Sequence, residues 1–418
     1  MRIGIVTNLF PNPIQPRKAA FCRQQFTALA RRHSVWVVAP VPWTDEASSW
    51  ARSWGTAKLS QRQRSRQEGE ATIEHPRYWF LPKLGIGQRG QGFCFERSCA
   101  SSFQALLETH GADAILGCWM YPDSWAAVRL ARQAGLPAAA MARGSDLHQL
   151  HRFPGRLPGT LRTLTTADRV LTVSQDLADR AATLGADRDR IRVIPNGVDK
   201  TLFRPGDQAE ARHRLGFGSD LTERWILFAG NLVAIKNVDV LLQACAELNG
   251  KRSDWRLMIV GDGPTRGFLQ QSAAKLRVET RVQFLGSRPH AELADLHRGS
   301  DILALPSRDE GQPNVLLEAT ASGIPWVASR TGGIPDLVRG PFHRLADPQR
   351  PDQIAEAIIQ SFDAQERRNF CLDLEVSAKM VPSWDQSARI LADSLEDMIR
   401  SRSSSSVPDS RLHAETPL

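Results

Sequence analysis

Residues 304–336, ALPSRDEGQPNVLLEATASGIPWVASRTGGIPD, decide the fold. They follow directly from the run DILALPS (301–307), which is short and apolar, as a strand buried on both faces of a parallel sheet must be. Arg308, Asp309, Glu310 and Gly311 are too polar and too flexible to continue that strand, so a loop is predicted there. Pro313 fits the first position of a helix, where its missing N–H costs nothing. Val315, Leu316 and Ala319 have helical spacing, and Gly323 with Pro325 ends the helix before a second short strand and the Gly332-Gly333 loop. In open α/β sheets ligands bind outside the carboxyl ends of the strands, which makes this loop a candidate ligand edge. The helix start should leave the N–H groups of Asn314, Val315 and Leu316 open to an anion, most often a phosphate. Glu310 in the loop and Glu318 in the helix then read as one carboxylate for a reacting group and one for a more distant polar part of the same ligand. Taken singly, each is equally well a solvated charge.

Outward from this stretch the same strand–helix rhythm recurs. Strands are predicted at RIGIVT (2–7), SVWVVAP (34–40), ADAILGC (112–118), LPAAAMA (136–142) and DRVLTVS (168–174). Further strands are predicted at DRIRVIPNGVD (189–199), WILFAGNL (225–232), WRLMIVGDG (255–263) and RVQFLG (281–286). Helices are predicted near 21–32, 99–109, 124–134, 176–184, 239–248, 290–298, 352–362 and 384–399. A chain of 418 residues holds two domains of ordinary size, and 42% hydrophobic with 23% charged residues describes a globular protein. No apolar run approaches the roughly 20 residues that span a bilayer, and MRIGIVTNLF lacks the pattern of a secretory leader, so a cytoplasmic location is expected. The six cysteines show no Cys-x-x-Cys spacing, so reduced thiols are expected rather than a zinc site or a disulfide framework.

A net charge of +8 implies attraction to polyanions, and without a nucleic-acid motif the better partners are phosphates and anionic membrane. Residues 44–72 break the rhythm with Trp50 and Trp54 and with Arg52, Lys58, Arg62, Arg64 and Arg66. That composition suits peripheral contact with the inner face of an anionic membrane, and a surface loop with no partner is the other reading. Lys236 sits at a strand-to-helix junction, where a cation suits a diphosphate. The pair Asp187 and Asp189 reads as a solvated turn ahead of a strand rather than a metal site.

The order glutamate, glycine, proline, second glutamate, Ala-x-Gly-x-Pro and Gly-Gly across 310–333 resembles the signature of the family 4 glycosyltransferases, enzymes of the GT-B fold. The resemblance implies two Rossmann-like α/β domains facing across a cleft. It would place the acceptor-side domain at 1–200, the nucleotide-sugar donor domain at 201–383, and a helix at 384–400 packing back on the first domain. Residues 401–418, rich in serine, are expected to be disordered. The implied reaction is retaining transfer from a nucleotide sugar to a glycan or lipid-linked acceptor, with no metal and no other cofactor. Glu310 would bind the donor sugar hydroxyls and Glu318 the ribose, while Lys236, Gly311, Gln312, Asn314 and Val315 hold the donor. VIPNGVD matches the family's crossing between the domains. Two positions depart from the pattern: Asn231 stands where relatives carry an arginine of the diphosphate clamp, and Arg143 where they carry the histidine of His-Gly-x-Asp. A guanidinium cannot act as a base, so Arg143 is expected in the catalytic region as a binder of phosphate or sugar hydroxyl. The loop after the first strand has no glycine, which leaves Arg17 and Lys18, with Asp146, for the acceptor side. A nucleotide-sugar-binding protein without catalysis, and an epimerase or phosphorylase of the same fold, are the alternatives, although no pyridoxal-lysine motif is recognisable.

Overall fold

The computed structural model describes residues 1–16, 18–43, 65–79, 85–365 and 370–405. The chain forms two compact units, one of Met1–Thr172, Ala178–Ile194 and Ser387–Leu418, the other of Val173–Leu177 and Pro195–Gln386.

In the first unit the strands are β1 (Arg2–Val6), β2 (Ser34–Val38), β3 (Val41–Pro42), β4 (Ser65–Glu68) and β5 (Ala71–Glu74). They continue with β6 (Arg77–Tyr78), β7 (Ala114–Cys118), β8 (Ala138–Met141), β9 (Arg169–Thr172) and β10 (Ile191–Val193). Eight of them form one sheet in the order β10-β9-β8-β7-β1-β2-β5-β4, and β3 pairs with β6 separately. All pairs in the large sheet are parallel except β4 with β5. β7 and β8 are buried along their whole length, which is why they read as unbroken apolar runs. β4, reading SRQE, can be this polar because it lies at the sheet edge.

β4 and β5 overlap the stretch predicted to break the rhythm, which corrects its end: 65–72 is a hairpin turned at Gly69, whose φ of 60° suits glycine. Arg66 there donates from Nη2 to the Pro11 carbonyl at 2.9 Å. Residues 44–64, with Trp50, Arg52, Trp54, Lys58, Arg62 and Arg64, lie outside the described residues. The helix predicted at 99–109 in fact runs Gly85–His110; four glycines in its first eight residues hid its start.

The second unit's strands are β11 (Arg224–Ala229), β12 (Trp255–Val260), β13 (Val282–Gly286), β14 (Ile302–Leu305), β15 (Trp326–Ser329) and β16 (His343–Ala346). They form one parallel sheet in the order β13-β12-β11-β14-β15-β16. This is the doubly wound order, and its direction reverses between β11 and β14. Fully buried Trp255 and Trp326 anchor its core.

The last helix, Trp384–Ser405, joins the first unit from Ser387 onward. Ala388, Leu391, Ala392, Leu395 and Met398 are buried at helical spacing, which explains its docking there. Gln25 Nε2 donates to Ser387 Oγ at 2.9 Å, and Arg402 lies 3.5 Å from Asp168. The helix enters the stretch expected to be disordered by five residues, through Ser405; 406–418 lie outside the described residues. Among the described residues no helix is long and apolar enough to cross a membrane.

Candidate active site

The reversal of strand order between β11 and β14 opens the crevice where α/β sheets take ligands, and two predicted residues meet there. Lys236 closes the turn after β11, Glu310 lies in the loop after β14, and Lys236 Nζ donates to Glu310 Oε1 at 2.5 Å. Both side chains are largely enclosed. A charge-assisted bond of this kind fixes the carboxylate and the ammonium on one another at the strand edge. Asn231, also on the β11 side, is exposed.

The helix after this loop is Asn314–Ala321. Pro313 is its cap, with φ −73° and ψ 114°, rather than its first residue as predicted. The Pro313 carbonyl accepts from Leu316 N at 3.1 Å, so of the three N–H groups expected to be open, that of Leu316 is taken. Among the described residues nothing meets the N–H groups of Asn314 and Val315, which leaves the positive end of the helix dipole next to the Lys236–Glu310 pair.

Asn196, in the VIPNGVD segment, locks this loop in place. Its backbone N donates to Gln312 Oε1 at 2.5 Å, and its Nδ2 donates to Asn314 Oδ1 at 2.8 Å and to the Gln312 carbonyl at 3.3 Å. Gln312 and Asn314 therefore have their side-chain oxygens occupied by Asn196. On the other flank, Gly333 N donates to the Glu310 carbonyl at 3.0 Å. A Cβ on Gly333 would stand 2.0 Å from the Gly311 carbonyl oxygen, so the Gly-Gly loop can approach the 310–311 turn only without side chains. The same logic holds where β11 and β12 end: Gly261 has φ 127° and its Cβ would lie 1.9 Å from the Gly230 carbonyl oxygen.

Glu318 lies deeper. Burial pushes its carboxyl up to about 7, from an ordinary 4.5. Its nearest basic neighbour is His297, fully buried, with Nε2 3.9 Å from Glu318 Oε2. Neither ring nitrogen of His297 has a hydrogen-bond partner, and burial holds the ring neutral, with a value near 3. Sequence reasoning did not find His297, because one histidine in an amphipathic helix looks like any core residue.

In the first unit the corresponding edge lies at the ends of β1, β7 and β8. Asp146 is buried, and its carboxylate accepts from the backbone N of Met120 at 3.0 Å, Gly144 at 2.8 Å and Arg143 at 3.1 Å. It thus braces the turns after β7 and β8, and burial raises its carboxyl above the ordinary range despite those donors. Arg143 was expected to offer an open guanidinium, but only 8% of the residue is exposed. Its Nη2 donates to Gln25 Oε1 at 2.5 Å and its Nε to Cys118 Sγ at 3.1 Å. A buried guanidinium needs acceptors, and these supply them, so Arg143 forms part of the wall. Lys18 lies in the turn before the first helix, half-buried; Arg17 falls outside the described residues.

Asp123 was missed. It is fully buried and accepts from Asn8 N at 2.6 Å, Asn8 Nδ2 at 3.1 Å and Thr7 Oγ1 at 3.2 Å, which holds the loop after β1. An acid one residue ahead of a predicted helix looks like a helix start, and nothing local distinguishes it. Among the described residues no cluster of three His, Cys, Asp or Glu side chains could hold a metal ion.

The architecture is shared with solved structures. Sucrose-phosphate synthase from Thermosynechococcus elongatus superposes with a TM-score of 0.75 at 18% identity, over 96% of this chain and 99% of that one. Anabaena HepE in complex with UDP and glucose superposes with a TM-score of 0.71 at 20% identity, over 95% and 100%. These show the GT-B fold. Among curated proteins, the D-inositol 3-phosphate glycosyltransferase of Mycobacterium tuberculosis is 36% identical over 251 residues, 57% of this chain and 50% of that protein. The chain therefore spans about half the length of the curated relatives it matches. The model of glycosyl transferases group 1 matches residues 210–371, over the Lys236–Glu310 edge, and that of Glycosyltransferase Family 4 matches 20–202. With most of its length divided between these two models, the chain belongs to the family 4 glycosyltransferases.

Proposed function

We propose that the chain transfers a sugar, with retention of configuration, from a nucleotide-diphosphate donor to a glycan or lipid-linked acceptor, in the building of a cell-surface polysaccharide. The observation that carries this reading is the Lys236–Glu310 pair beside the open N–H groups of Asn314 and Val315. Glycosyl transfer develops positive charge at the sugar carbon and negative charge on the departing diphosphate, so the catalyst must offer cations and N–H donors to the phosphates. Lys236 and the helix start supply both, and the reading calls on no metal or other cofactor. Glu310 then faces the donor sugar and Glu318 the ribose, with Asn231, Gly311 and Gln312 completing the donor edge. Arg17, Lys18 and Asp146 are assigned to the acceptor side, and Arg143 to the catalytic region as a wall residue.

A thermal-shift panel of nucleotide sugars identifies the donor, since the ligand that binds the fold raises its melting temperature by mass action. With that donor, Glu310→Gln lowers turnover roughly a hundredfold while Glu318→Ala chiefly raises the donor concentration needed. Near-normal transfer by Glu310→Gln overturns the assignment. The second reading, a nucleotide-sugar-binding protein without turnover, is favoured by Asn231 and by the enclosed Arg143. It is recognised by donor stabilisation with neither transfer nor slow release of free sugar. Peripheral membrane contact through 44–72 belongs to the same proposal, and binding to anionic vesicles at low salt, lost on neutralising Arg52, Lys58, Arg62, Arg64 and Arg66, tests it.

A further inference from the structure

Five residues of the first unit form a chain of contacts, and the transfer reading uses only one of them, Arg143, as a wall residue. Cys118 ends β7, and its Sγ lies 3.7 Å from Cys22 Sγ on the Ala20–Ala30 helix. Arg143 donates from Nε to Cys118 Sγ at 3.1 Å and from Nη2 to Gln25 Oε1 at 2.5 Å, and Gln25 Nε2 donates to Ser387 Oγ at 2.9 Å. Both cysteines are fully buried. Two sulfurs in van der Waals contact with a permanent cation on one of them make an asymmetric dithiol: the guanidinium favours the thiolate at Cys118, leaving Cys22 as its thiol neighbour.

We propose that Cys22 and Cys118 are a redox modification site, converted to an intramolecular disulfide by hydrogen peroxide. The Cys118 thiolate attacks one peroxide oxygen and the O–O bond breaks, giving a Cys118 sulfenic acid and hydroxide. The hydroxide takes the Cys22 proton and becomes water. The Cys22 thiolate then attacks the sulfenic sulfur, the S–S bond forms, and hydroxide leaves and is protonated by solvent. The two cysteines give up two electrons and the peroxide is reduced to two waters. Closing the gap from 3.7 Å to the roughly 2 Å of an S–S bond takes rotation of two side chains already in contact. Reagent reaches them through local opening of the first helix, the usual route to a buried group.

Two other buried cysteines supply the contrast. Cys99 and Cys245 are as deeply buried, and burial pushes their thiols up. Burial opposes ionisation of Cys118 as well, but its hydrogen bond with Cys22 and the charge of Arg143 outweigh it and bring that thiol below its ordinary value. Once the disulfide forms, Cys118 carries no charge and Arg143 loses its anionic acceptor. The change therefore reaches the end of β8 and, through Gln25 and Ser387, the C-terminal helix.

The full chain, reduced and then exposed to hydrogen peroxide for timed intervals, is quenched with N-ethylmaleimide and mapped by non-reducing peptide mass spectrometry. The expected product is a Cys22–Cys118 linked peptide, reversed by dithiothreitol, forming at least about tenfold faster than any oxidation of Cys99 or Cys245. In Cys22→Ser the reaction stops at a Cys118 sulfenic acid that dimedone captures. Absence of the linked peptide at times when Cys99 is already oxidised overturns the proposal, as does a Cys22→Ser protein whose Cys118 takes up no dimedone. Neither measurement uses a sugar donor, so the outcome is independent of the transferase reading.

Discussion

A carboxyl group pushed up to about 7, as burial does to Glu318, makes stability depend on pH with a definite sign. Below the ordinary value of 4.5 the side chain is protonated in both the folded and the unfolded chain, and the fold carries no penalty from it. Between 4.5 and about 7 the unfolded chain releases the proton while the folded one keeps it, so stability falls across that window and levels off above it. Glu318→Gln removes the slope. Its stability should match the parent near the acid end and exceed it increasingly as pH rises, by on the order of 3 kcal/mol at mildly alkaline pH. A constant difference across the range would place the ionisation elsewhere. A donor ribose that needs an ionised Glu318 to accept its hydroxyls would bind more tightly as pH rises through the same value, opposite to the stability trend, and His297, neutral with a nitrogen 3.9 Å away, supplies no charge to offset it. Measured donor affinity and melting temperature in parallel pH series separate the two effects.

At the scale of elements, two of the contacts that hold the donor loop lead to separate tests, and neither is hydrophobic. Asn196 bonds Gln312 and Asn314 across 116 and 118 positions of sequence. Asn196→Ala removes both Nδ2 donors, leaves the Asn314 side-chain oxygen without that partner, and is expected to cost about 1–2 kcal/mol. Its larger effect should be on donor affinity, because the N–H groups of Asn314 and Val315 lie on the segment it fixes. Calorimetry of the variant with and without donor measures both, and a variant with unchanged affinity would mean the helix start is positioned by its own packing. The second contact is steric: Gly333→Ala puts a methyl group 2.0 Å from the Gly311 carbonyl oxygen and 2.6 Å from Ser174 Cβ, so backbone must move. A loss of about 1–3 kcal/mol in chemical denaturation is expected, with the Glu310 turn displaced.

At the scale of the whole molecule, most of the α/β rhythm could be read from the chain because central parallel strands are buried on both faces and so appear as continuous apolar runs, as at β7, β8 and β11. Lys236, Glu310 and the helix after them were legible for the same reason: a polar turn between an apolar strand and a helix marks a strand end. What escaped was tertiary. Asp123 meets Asn8 115 positions away, Cys22 meets Cys118 96 positions away, and local pattern carries no trace of either contact. Pro313 was placed one position too far into its helix, since a cap and a first residue differ only in ψ. The C-terminal helix was legible as a helix, and its buried face predicts its role. Ala388, Leu391, Ala392, Leu395 and Met398 are all nearly solvent-free in the first unit. Exposing three large side chains among them costs roughly 2–3 kcal/mol each, a sum comparable to the roughly 5–15 kcal/mol that separates most folded domains from unfolding. A chain ending at residue 386 should therefore lose the cooperative melting of its first unit while keeping that of the second, whose sheet draws nothing from this helix. Differential scanning calorimetry of the truncated and full chains, with hydrogen exchange read separately at β7 and at β11, checks this. Protection retained at β7 in the truncated chain would show that the first sheet holds its core without the helix, and the helix would then be a cover rather than part of the fold.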